Sequence, residues 1–136
     1  MNSRLLPLPL PTMRAVSIVL ITTALLLILV ETDADIRREC RKRTGVSWGA
    51  LKKLRAMDFR QNDTKLKCYV KCFMQKNGFF GETDIDIPKA VSHLPKSAQA
   101  SSKRALERCK NIPSTDSCDK AYQLIKCFYK AEPEIL

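Results

Sequence analysis

The chain has 136 residues, a net charge of +10, six cysteines and a single histidine, His93. That length accommodates one domain, and one histidine excludes a His-rich metal site. Six cysteines in so short a chain point either to a disulfide framework or to metal or redox chemistry, and the cellular compartment decides between them.

The N-terminus supplies the compartment. Ala15–Val30, AVSIVLITTALLLILV, is apolar apart from Ser17, Thr22 and Thr23, follows Arg14 and precedes Thr32-Asp33-Ala34. A basic start, an apolar middle and small residues before the cut make residues 1–34 a secretory signal peptide, with cleavage expected after Ala34. The apolar run has 16 residues, short of the roughly 20 that a spanning helix needs, so no stable membrane insertion is expected once it is removed. Leu5–Pro11 holds three prolines in seven residues, and a start at Met13 leaves the plainer leader Met13-Arg14. The mature chain, residues 35–136, loses two basic and two acidic residues and stays at +10. In an exported chain the cysteines are committed to disulfides.

Ile36–Thr44 reads as a short basic helix around Cys40, ended by Gly45 in a left-handed conformation. Ser47 is the N-cap of a second helix, Trp48–Met57, with Leu51 and Leu54 inward. Asn62-Asp63-Thr64 caps the central helix, Leu66–Asn77, and Gly78 follows it. Its apolar stripe is Leu66, Tyr69, Val70, Phe73 and Met74, with Cys68 and Cys72 among Lys67, Lys71 and Gln75 on the other side. Glu82–Asp86 reads as an acidic loop. Asp86 caps a fourth helix over Ile87–Leu94, where Pro88 is harmless because first-turn N–H groups are unpaired anyway. Pro95 stops it, Lys96–Lys110 forms the fifth helix, and Cys118–Ala131 the sixth, with Ala121, Tyr122, Ile125, Phe128 and Tyr129 on one stripe. No stretch alternates like a strand, so the fold class is all-α, with six short helices.

Six cysteines allow 15 connectivities. Cys68 and Cys72 are one helical turn apart, roughly 5–6 Å between Cβ atoms, and a disulfide wants about 3.5–4.5 Å. Cys118 and Cys127 face opposite sides of one helix. Ten connectivities remain, and the central helix becomes a post tied to two other elements.

The spacings Cys40-x27-Cys68-x3-Cys72-x36-Cys109-x8-Cys118-x8-Cys127 resemble the six-cysteine pattern of the insect pheromone and general odorant-binding proteins. The x3 and x8 intervals are the specific part, joined by Lys65–Tyr69, Lys71-Cys72, Ile85–Leu94, Cys118–Tyr122 and Lys126–Phe128. The resemblance covers the whole mature chain. It implies six helices around a buried apolar cavity and interlaced bridges Cys40–Cys72, Cys68–Cys118 and Cys109–Cys127. It implies a secreted carrier of odorants or pheromones, taken through body fluid such as sensillar lymph to an odorant receptor by a monomer or weak homodimer, with no cofactor and no nucleic-acid partner. By position it implies a cavity lined by Ile36, Phe73, Met74, Ile87, Ala90, Val91, Leu94, Ala105, Tyr122, Ile125 and Phe128. Tyr69 and Tyr122 are the expected polar contacts, because a buried phenol needs a partner.

Two features depart from that pattern. Many members are acidic, and this chain is +10; the excess is either a solvated surface or suited to an anionic ligand or partner. His93 is the single histidine and only about five residues follow the last helix, so acid-triggered release finds no support. No enzyme is expected. His93 is followed by Leu94 and Pro95 rather than by an acidic partner, and Glu82, Asp84 and Asp86 lie in a loop rather than as a pair across a cleft. The alternatives are a cationic membrane-active defence protein and a carrier of fatty acids or similar ligands outside smell. Charge spread beside distinct apolar stripes favours a closed globule over a membrane-lying amphipath.

Overall fold

The computed structural model describes residues 12–29 and 32–135. The proline-rich stretch Leu5–Pro11 lies outside them. The structure divides into two compact units between Asp33 and Ala34. Helix α1, Met13–Leu29, belongs to the first. Thr22 and Thr23 donate their hydroxyls to carbonyls one turn back, so these polar residues do not break it. Seventeen residues rise roughly 26 Å. Among the described residues no helix is long and apolar enough to cross a membrane.

The second unit carries six helices: α2 (Asp33–Thr44, starting at the boundary), α3 (Trp48–Arg55), α4 (Thr64–Lys76), α5 (Ile87–Ser92), α6 (Lys96–Cys109) and α7 (Ser117–Ala131). Their starts follow the capping residues. Ser47 Oγ accepts from the Ala50 N–H at 3.1 Å, Asp63 Oδ1 from Lys65 and Leu66 at 2.9 and 3.2 Å, and Asp86 Oδ1 from Lys89 at 3.1 Å. Asp116 caps α7 through the Asp119 N–H at 2.8 Å. Gly45 (φ +68°) and Gly78 (φ +83°) end α2 and α4 in the left-handed region, where a side chain costs about 1 kcal/mol or more. Met57 adopts the same region at φ +60° after α3, which the sequence did not signal. Two more differences concern element ends. α2 begins at Asp33, three residues earlier than the basic pattern suggests, and α5 stops at Ser92 with Leu94 already outside it.

No strand forms among the described residues, but Phe80 and Ile85 make an isolated antiparallel bridge. The Gly81 N–H donates to the Asp84 carbonyl at 2.8 Å and the Asp86 N–H to the Phe79 carbonyl at 3.0 Å. The acidic stretch is therefore a tight turn rather than free loop. Asp84 also holds it down, 3.8 Å from Lys110 and 4.0 Å from Lys120.

All three bridges form: Cys40–Cys72 ties α2 to α4, Cys68–Cys118 ties α4 to the start of α7, and Cys109–Cys127 ties α6 to α7. α4 and α7 make the most extensive helix contact, so α4 is the post about which the unit is laced. Leu66, Val70 and Met74 from α4 and Ala121, Tyr122 and Leu124 from α7 are buried between them. The buried apolar core lies between Ile36 and Leu124. The unit from Ala34 onward thus holds the core and every disulfide, and has what it needs to fold by itself.

One buried polar link was not anticipated. Lys67, placed on the polar side of α4, reaches Asp119 of α7 at 2.7 Å, beside the Cys68–Cys118 bridge. Asp119 is only 6 % exposed. Gln123 donates to the same oxygen, Oδ1, at 3.3 Å, and Oδ2 accepts from the Thr115 N–H at 3.0 Å. The Lys67 hydrogen bond first, then those of Thr115 and Gln123, outweigh burial and hold the carboxyl down to about 2 from an ordinary 3.8. A depressed carboxylate pKa stabilises the fold above the unfolded value and ceases to as pH falls through the folded one. Asp119→Asn should therefore cost on the order of 2 kcal/mol at neutral pH. In urea melts the gap to the parent should close as pH drops from about 4 to about 2. A gap that stays constant through that window would show that Asp119 acts by packing and not by charge.

Candidate ligand-binding cavity

Helices and loops enclose a partly open, mainly apolar cavity of about 500 Å³, within the range of roughly 300–1,000 Å³ typical of small-molecule sites. α4 supplies the floor with Tyr69, Val70, Phe73 and Met74. The C-terminal half of α7 supplies Leu124, Ile125, Phe128 and Tyr129, and α3 supplies Leu51, Leu54 and Arg55. Arg37 enters from α2, Ala90 from α5 and Leu106 from α6. Met57, Phe59, Phe79, Ile85, His93 and Leu94 come from the connections. The 3-10 turn Pro133–Ile135 does not line it.

Six of the eleven residues expected on the wall are there: Phe73, Met74, Ala90, Leu94, Ile125 and Phe128. Ile36, Ile87, Val91, Ala105 and Tyr122 are buried but do not line the cavity. Helical phase explains four of them. On α2 and α6 the wall is built by the next residue, Arg37 beside Ile36 and Leu106 beside Ala105, about 100° around. On α5, Ile87 and Val91 take the packed side and Ala90 the open one. Tyr122 lies one turn too near the start of α7. Its ring meets Phe59 at 5.9 Å and the Lys67 ammonium at 5.9 Å. Its hydroxyl is buried with no hydrogen-bond partner among the described residues, as is that of Ser102. Of the two tyrosines expected as polar contacts, Tyr69 lines the cavity and Tyr122 does not.

His93 is also at the wall, although an isolated exposed histidine gave no sign of it. Its Nδ1–H donates to the Lys89 carbonyl at 2.8 Å and its ring meets Phe79 edge-on at 5.5 Å. Leu51, Leu54 and Tyr129 were legible as inward residues but not as wall.

The polar part of the wall is basic. Arg37 lies over the Phe73 ring at 5.8 Å. Arg37 and Arg55 both act on the Tyr69 phenol. Burial raises that phenol's pKa first, and the two guanidiniums pull it back. Among the described residues neither arginine has a carboxylate within ion-pairing distance, and the Tyr69 hydroxyl makes no hydrogen bond. No group of three or more His, Cys, Asp or Glu side chains among the described residues could hold a metal ion.

Comparison with known proteins bears on what such a cavity is for. The sequence pattern of the PBP/GOBP family matches residues 29–131. General odorant-binding protein 56a of Drosophila melanogaster is 28% identical over 101 residues, which is 72% of this chain and 73% of that protein. Odorant-binding protein 10 of Aedes aegypti is 30% identical over 100 residues, 71% of each. Among solved structures, the fatty acid binding protein OBP56a from the oral disk of the blowfly Phormia regina superposes with a TM-score of 0.64 at 31% identity, covering 75% of this chain and 90% of that one. With three bridges tying α2, α4, α6 and α7 together and an apolar cavity among all six helices, this chain belongs to the PBP/GOBP family of odorant-binding proteins, carriers of small hydrophobic molecules.

Proposed function

We propose that this protein is a secreted carrier whose preferred cargo is a long-chain molecule ending in a carboxylate. One observation carries the reading: two guanidiniums with no acidic partner among the described residues, Arg37 and Arg55, stand with the Tyr69 phenol on the wall of a mainly apolar cavity. An alkyl chain against Phe73, Met74, Ile125 and Phe128 is driven in by about 25 cal/mol per Å² of apolar surface buried. A carboxylate accepts charge-assisted hydrogen bonds from arginine, roughly twice as strong as neutral ones. The blowfly protein's description as a fatty acid binding protein supports the same ligand class. Of the eleven expected positions, the six on the wall are proposed to touch ligand; the five in the core support it. The signal-peptide reading of residues 1–34 supports secretion, and delivery to a receptor belongs to the same proposal.

Expression of the full chain in insect cells tests both halves. The medium should contain a protein beginning near Asp35. That protein should release an apolar fluorescent dye to palmitate at about tenfold lower concentration than to hexadecanol. Arg37→Met with Arg55→Met, which keeps the apolar stems, should erase the preference and leave hexadecanol affinity near that of the parent. Equal affinity for acid and alcohol in the parent would refute the carboxylate reading. Failure to take up dye at all would refute the carrier.

A further inference from the structure

A second feature of α2 and α3 faces outward. Trp48, Lys52 and Arg55 are spaced i, i+4, i+7 along one exposed stripe of α3, which borders the cavity where Arg55 follows buried Leu51 by one turn. Trp48 is 62 % exposed, although a side chain of that size is ordinarily covered. The Arg41 guanidinium lies over its ring at 4.2 Å, and Arg37 is one turn earlier on α2, where it and Arg55 flank the cavity. Two facing rows therefore make one basic strip, with the Arg41–Trp48 stack at one end and the Arg37–Arg55 pair at the other. No carboxylate of the described residues lies within ion-pairing distance of Arg37, Arg41, Lys52 or Arg55. Nearby acids are engaged elsewhere: Glu39 with Lys76 at 2.9 Å and Asp58 with Arg60 at 2.9 Å.

We propose that this strip docks the protein on an anionic lipid surface, with Trp48 at the headgroup boundary and the cavity beside the membrane. Charge complementarity points to the partner, since each Lys or Arg near an anionic leaflet adds favourable energy that falls off within a Debye length. The indole selects lipid over other polyanions. Its amphipathic ring favours the membrane–water interface, and a sulfated polymer offers no apolar layer to receive it. Arg41, Trp48 and Lys52 take no part in the cavity wall, so docking through them is tested separately from the carboxylate reading.

The chain's single tryptophan is its own probe. The domain from Ala34 onward, mixed with vesicles of phosphatidylcholine and phosphatidylglycerol, should show blue-shifted Trp48 emission that salt reverses. Pure phosphatidylcholine vesicles should leave the emission unchanged. In co-sedimentation, Arg41→Glu with Lys52→Glu should weaken binding about tenfold or more, and Trp48→Ala should weaken it with charge unchanged. Lys103→Glu with Lys126→Glu, which changes net charge equally at exposed positions on α6 and α7, should stay within about twofold of the parent. All variants should still take up the apolar dye, which shows that they are folded. The proposal is overturned by absence of binding to the anionic vesicles. It is equally overturned if the α6–α7 control loses as much as the strip variant, or if the domain binds heparin and not vesicles.

Discussion

Replacing Cys68 and Cys118 together by alanine is expected to destabilise the domain by about 4 kcal/mol in urea unfolding, through the loop-closure entropy the bridge removes from the unfolded chain. The bridge spans 50 residues, against 32 for Cys40–Cys72 and 18 for Cys109–Cys127. Longer loops lose more freedom when closed, so removing Cys109 and Cys127 should cost less, about 3 kcal/mol. Local structure adds to the difference. The bridge joins α4 to α7 right beside Lys67 and Asp119, whose 2.7 Å contact depends on the two helices keeping register. Domains of this size have about 5–15 kcal/mol in total, so the variant should remain folded yet melt far earlier. A loss below about 1 kcal/mol would mean that packing between α4 and α7 alone holds the post in place.

Ile125→Asp is the second large effect, and it falls on binding. Ile125 is half-buried at the cavity wall, and a carboxylate there faces Phe73 and Phe128 where an apolar ligand should lie. Burying it unpaired costs several kcal/mol, so dye uptake should drop by at least about tenfold. Lys126→Asp, one residue on and exposed, should bind like the parent. Because a buried charge can also unfold the helix, Ala90→Phe serves as the companion variant. It fills cavity volume from α5 without adding charge and should reduce uptake as well. Circular dichroism matching the parent is the precondition for each. If both folded variants bind dye as the parent does, ligand does not occupy this cavity.

The two tests draw on information that was unevenly visible in the sequence. Local rules fixed the helices. Ser47, Asp63 and Asp86 cap as their residue types require, and Gly45 and Gly78 end α2 and α4 because few side chains tolerate positive φ. The stripe of α4 is inward because its apolar residues recur at helical spacing. Geometry reduced the cysteine pairings to ten, and the resemblance chose among them; the structure forms the chosen set.

Only the tertiary structure decided which inward residues meet packed neighbours and which meet open space. A helical stripe is broad, and neighbouring helices cover part of it. On the apolar stripe of α5, Ile87 and Val91 lie toward the packed side and are covered, and Ala90 lies toward the open side and is not. Nor does periodicity reach the connections, so Met57, Phe59, Phe79 and His93 could not be assigned to the wall. The same holds for charge. A count of +10 does not distinguish Lys67, paired with buried Asp119, from Arg37 and Arg55 beside the cavity, or from Arg41 stacked on Trp48. Those differences arise from contacts between helices far apart in sequence, and spacing within one helix carries no record of them.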